Sequence, residues 1–64
     1  MEEKTPLEIE AEALSANLTA LIGLQSDRKF LQMSDMEQMI INLQVPIMSA
    51  YLEVLKTRIN IQKR

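Results

Sequence analysis

From Met36 to Ile61 helix-forming residues recur at alternating intervals of four and three, and this run most constrains how the chain can fold. One seam holds Met36, Ile40, Leu43, Ile47, Ala50, Val54, Thr57 and Ile61. A second holds Ile41, Gln44, Met48, Tyr51, Leu55, Arg58 and Gln62. The period is helical, and the two seams sit about 100° apart around one helix. Packing against a single neighbouring helix needs only one of them. The other, left in water, would form a large exposed apolar patch. The second seam is therefore assigned to another copy of the chain, and homo-oligomerisation follows. On that assignment Leu55→Glu breaks the assembly, because it places an unpaired charge in the interface.

Pro46 interrupts the run without ending it. It has no N–H and its ring crowds the carbonyl of Asn42, so a kink is expected there. Val45 is a poor N-cap, which favours one bent helix over two helices and a turn. "SDME" begins this helix as a capping box, with Ser34 at the N-cap and Glu37 at N3. "TPLE" begins an earlier one, with Thr5 as N-cap, Pro6 at the first helical position and Glu8 at N3. Leu7, Ala11, Leu14, Leu18 and Leu21 give this first helix its apolar stripe over residues 6–25. A parallel stripe of Ile9, Ala13, Ala16, Ala20 and Gly23 is small enough for another helix to approach closely. Gly23 falls at the helix end or within its last turn. Between the helices, "QSDRKFLQMSD" reads as a connection packed down through Phe30, Leu31 and Met33. The expected fold is all-α. Residues 1–64 form a single domain, a two-helix hairpin with a long Pro-kinked second helix, assembled as a homo-oligomeric bundle.

Size supports the same conclusion. A 64-residue chain buries only ~60 % of its unfolded surface and is marginal alone. Disulfides, metals or oligomerisation usually support such domains. The chain contains neither cysteine nor histidine. This excludes a disulfide framework and removes the commonest metal ligand and general base. Ser15, Ser26, Ser34 and Ser49 lack a histidine to activate them. Met33, Met36, Met39 and Met48 read as core filler. There is no glycine-rich phosphate loop. The chain reads as a non-enzyme without a cofactor. No basic segment followed by an apolar run resembles a signal peptide. No apolar stretch approaches the roughly 18 residues of a membrane span, so a soluble, reducing compartment and no membrane partner are expected. The net charge of −2 and the absence of a basic helix face speak against DNA or RNA binding.

Charge is unevenly placed. Between Thr5 and Gln25 the only charged residues are Glu8, Glu10 and Glu12, whereas Lys56, Arg58, Lys63 and Arg64 follow Val54 without an acid. The acids suit the start of a helix and the bases suit its end. Gln44, Tyr51 and Arg58 are harder to place, since they recur every seven residues within the second seam. They read in two ways. In the first they are plain hydrogen-bonding groups of a subunit interface. Alternatively, Arg58, repeated around a symmetry axis, needs an anion to bridge the converging guanidinium groups. A multi-phosphate ligand of matching symmetry would serve.

The order Phe30, "MEQMIINLQ", Met48, Tyr51, Leu55 and Arg58–Ile59 resembles the small phage anti-CBASS type-two proteins, which sequester cyclic oligonucleotides. Leu14, Leu18 and Leu21 fall at that family's leucine positions, and the resemblance covers roughly residues 9–61. It implies a non-catalytic homohexamer in the host cytoplasm that sequesters the cyclic nucleotide signals of bacterial immunity. It also implies two kinds of pocket. In the cyclic trinucleotide pocket, on a threefold axis, the matching residues are Arg58 and Gln62 with Thr57 and Ile61 beside them. In the cyclic dinucleotide pocket the family's helix-one lysine falls on Asn17, a polar position falls on Thr19, and an N-terminal tyrosine falls near Glu2. The second pocket lacks its cation and its aromatic ring, so trinucleotides are expected to be preferred. The other reading retained from the sequence is a structural or chaperone subunit of a secretion or phage-assembly complex.

Overall fold

The computed structural model describes residues 3–63; Glu2 and Arg64 lie outside the described residues. The order is α1 (Pro6–Gln25), α2 (Arg28–Gln32) and α3 (Asp35–Gln62). Helices α1 and α3 pack side by side into a slab with extents of 45 × 22 × 14 Å. The expected two-helix hairpin thus gains a third, one-turn helix within the connection. Asp27 starts α2 by accepting from the Lys29 N–H at 2.9 Å. Phe30 holds it down, since its ring is buried. Leu31, expected to pack with it, stays 76 % exposed. On a single turn of helix only one side faces the neighbouring helices.

Both expected helix starts are present. The Thr5 hydroxyl accepts from the Glu8 N–H at 3.2 Å, and Glu8 Oε1 accepts from the Thr5 N–H at 3.1 Å. At α3 the Ser34 hydroxyl accepts from the Glu37 N–H at 3.1 Å and donates to Glu37 Oε1 at 3.0 Å. Here the carboxylate answers the hydroxyl rather than the backbone N–H. Gly23 lies within the last turn of α1, and Ser26 is the C-cap. Helix α3 runs unbroken through Pro46. Across from the carbonyl that Pro46 cannot serve, the Asn42 side chain accepts from Gln25 Nε2 at 3.0 Å and ties α3 to the end of α1.

The core lies where α1 meets α3. Leu7, Ala11 and Leu18 pack with Leu52 and Leu55, and Leu14, Val45, Met48 and Ile59 close over them. The α1 stripe agrees with the sequence pattern. The α3 assignment does not. Ile41, Met48 and Leu55, placed by the pattern in a subunit interface, face the inside of the protomer instead. They share that face with Val45, Leu52 and Ile59, which belong to neither seam. Leu55 has no exposed surface at all, so Leu55→Glu is a lesion of the protomer core and not of an interface. The other seam is left in water. Met36, Ile40, Leu43, Ile47, Val54 and Ile61 are each half exposed or more. The buried stripe is centred about 50° around the helix from the second seam, on the side away from the first, so it takes in Ile41, Met48 and Leu55 of that seam, and α1 packs there.

Candidate functional site

The two ends of the chain converge where α1 begins and α3 ends. Arg58 and Gln62, one turn apart on α3, line an open groove of ≈ 730 Å³ with Thr5, Pro6, Leu7 and Glu10. A smaller groove of ≈ 390 Å³ shares Thr5 and Gln62 and is completed by Glu3, Glu8, Ile59 and Lys63. The N-cap that starts α1 therefore fixes one wall of both grooves, and the last turns of α3 supply the other.

The charges in this region are mostly engaged. Tyr51 donates its hydroxyl to Glu10 Oε2 at 2.7 Å. That hydrogen bond, then burial and the Glu10 charge, hold the phenol above its ordinary 10.0, while Arg58 pulls it down. Lys63 Nζ lies 3.7 Å from Glu8 Oε2. The Thr5 N–H and hydroxyl, with smaller help from Lys63 and Lys4, hold the Glu8 carboxyl below its ordinary 4.5. Lys4 pairs with Glu12. Lys56 lies 3.9 Å from Glu53. Arg58 makes no ion pair among the described residues. Its guanidinium carries five N–H donors in a planar fork.

Of the residues singled out from the sequence, the fold brings Arg58 and Gln62 together in one groove. Thr57 and Ile61 turn away from it, on the exposed apolar stripe beside Val54. The Thr57 hydroxyl is occupied locally, donating to the Glu53 carbonyl at 2.9 Å. Asn17 and Thr19 are both exposed in the middle of α1. Residues two apart on a helix do not share a face, so one protomer cannot offer both to the same ligand. Glu10 was not foreseen as part of the site. The sequence shows it only as one of three acids at a helix start, and its partner Tyr51 lies on the other long helix. Thr5, Pro6 and Leu7 were legible as a helix start but not as a groove wall.

No helix of the described residues is long and apolar enough to cross a membrane. The described residues hold no group of acidic side chains that could bind a metal. The fold and groove define a small helical-hairpin protein that presents a polar groove at one end and an apolar stripe along its outer face. A family model described as Sequestin matches residues 1–61, and the chain belongs to the Sequestin family. That name fits a sequestering, non-enzymatic role. No curated protein and no solved structure matches the chain.

Proposed function

We propose that the protein is a sponge for cyclic oligonucleotide second messengers, which a phage uses in the host cytoplasm to silence CBASS-type immunity. The observation that carries this reading is Arg58. It stands at the rim of an open groove with Gln62 beside it and without an ion-pair partner among the described residues. In a homohexamer, Arg58 residues meeting at a threefold axis form a ring that suits three phosphates. The Gln62 amide is placed to reach a base edge or a phosphate. Thr57 and Ile61, on the neighbouring face of the same turns, then belong to the walls contributed between copies. The Sequestin membership supports the sequestering part of the reading.

Cyclic trinucleotides are the favoured ligand. Asn17 supplies no charge where a cyclic dinucleotide needs a cation, and Thr19 lies on a different face of α1. Losing one cation–phosphate contact costs about 1.5–3 kcal/mol, or one to two decades in affinity. Isothermal calorimetry with one cyclic trinucleotide and one cyclic dinucleotide tests the reading. The trinucleotide is expected to bind tightly and Arg58→Ala to abolish that binding while the assembly persists. Unchanged trinucleotide binding by Arg58→Ala would refute the ring. The exposed apolar stripe on α3 also suits a chaperone or assembly subunit holding a protein client. That reading wins if neither nucleotide binds and the purified protein aggregates unless a protein partner is present.

A further inference from the structure

Among the described residues, Glu10 is the one acid lining the groove of Arg58. Its Oε2 accepts the Tyr51 hydroxyl at 2.7 Å, a bond that holds the carboxylate between α1 and α3. Its Oε1 has no partner among the described residues, and neither oxygen pairs with Arg58. An acid and a base that share a groove without pairing leave room for a ligand between them. A carboxylate also repels phosphates, so it weakens an anion site unless the ligand brings N–H donors to it. Building on the sponge reading for the ligand class, we infer that Glu10 selects the base. Arg58 holds a phosphate of the cyclic trinucleotide, and Glu10 accepts from the base-pairing edge of a guanine in the same nucleotide.

The donor pattern singles out guanine. Its pairing edge offers two adjacent donors, N1–H and the 2-amino group, which a carboxylate accepts side by side as it does the two arms of an arginine. Adenine and cytosine offer one amino group beside an acceptor nitrogen, and uracil one N–H between two carbonyls. An ionised carboxylate only accepts, so those acceptors meet it with like partial charge. Tyr51 occupies one of about four lone-pair positions on Glu10, and the others stay open to the base.

Placement agrees with this division of labour. Tyr51 and Arg58 are seven residues apart, about 10.5 Å along α3, a spacing that one nucleotide spans from base edge to phosphate. Pro6 and Leu7 line the same groove and give a flat base an apolar surface. The Tyr51 bond orders the carboxylate before a ligand arrives, which lowers the entropy cost of binding, and Tyr51 is thus a positioning residue. The rival reader is Gln62, because an amide suits adenine through N6 and N7. Gln62 is the last residue of α3, whereas Glu10 is tied across to a second helix.

Isothermal calorimetry with three symmetric rings tests the choice: cyclic tri-guanylate, tri-inosinate and tri-adenylate. Inosinate keeps the N1–H of guanylate and lacks its 2-amino group. The parent protein should bind tri-guanylate at least about tenfold more tightly than tri-adenylate, with tri-inosinate between them. In Glu10→Gln the amide oxygen still accepts from Tyr51, and circular dichroism checks that the helices persist. Tri-guanylate should then lose affinity and tri-adenylate gain it, because the charge facing the phosphates is gone. The ratio of the two affinities should fall about tenfold or more. A merely structural Glu10 would weaken all three rings alike, and an unchanged ratio overturns the inference. So does a parent that prefers tri-adenylate, and loss of that preference in Gln62→Ala would assign the base to Gln62. Rings bound without regard to base refute the role of Glu10 and leave the sponge reading standing. If no ring binds, the sponge reading fails and base selection fails with it.

Discussion

Replacing Leu55 by alanine removes three carbons from a side chain with no exposed surface, at the centre of the α1–α3 contact. Transfer of those carbons to water costs about 2.4 kcal/mol at roughly 0.8 kcal/mol each. The cavity left behind raises this to about 3–4 kcal/mol. A chain of 64 residues has about 3–10 kcal/mol of stability in total, so the variant sits near the threshold of folding. Ile47→Ala makes the contrast, because Ile47 is 67 % exposed in the protomer. Its protomer cost should stay below about 0.5 kcal/mol. Urea unfolding followed by circular dichroism, across a protein dilution series, separates the two. Leu55→Ala should lose its full amount at every concentration. Ile47→Ala should lose stability only where copies associate, and more as concentration rises. If Ile47→Ala costs as much as Leu55→Ala at the highest dilution, the faces of α3 have been assigned the wrong way round.

Gly23→Ala should stabilise the protomer by about 0.8–1.0 kcal/mol by helix propensity, since a methyl group there meets nothing within 4 Å; a rise in urea midpoint checks it, and a fall would mean that another copy presses on this face. Glu8 titrates below its ordinary 4.5, so the stability it adds is complete above that value and is lost as pH falls through the lowered one. Glu8→Gln should flatten that acid limb in pH-dependent thermal melts, and an unchanged limb would rule out the capping box as its source. Tyr51 titrates above 10.0, so its contribution is complete below 10.0 and lost as pH rises through the raised value. Tyr51 is the only tyrosine and there is no tryptophan, so phenolate absorbance reads this group alone. Glu10→Ala should bring the titration down, because the hydrogen bond is gone and Arg58 remains; an unmoved titration would mean the Tyr51–Glu10 bond is absent in solution.

Local chemistry was enough to set the ends of the long helices. The Thr5 and Ser34 caps needed only the residues next to them, and both starts lie where the motifs put them. The stripe Leu7, Ala11, Leu14, Leu18 and Leu21 was equally legible, because its leucines recur at helical spacing on one side of α1, while Ile9 and Ile22 lie off it and stay exposed. Helix α3 is different. Its apolar residues spread around most of the circumference, so period alone could not say which face meets α1. Ile41, Met48 and Leu55 went inside with Val45, Leu52 and Ile59 because α1 offers complementary leucines there, a choice made between helices and not within one. The small α2 helix escaped notice because a single turn has no period to read; it exists because Asp27 caps it and Phe30 finds a buried place. The site divides in the same way. Arg58 and Gln62 are marked by sequence as polar residues one turn apart in an apolar helix. Thr5, Pro6, Leu7 and Glu10 became its other wall only when the antiparallel packing of α1 and α3 brought one helix's first turn beside the other's last.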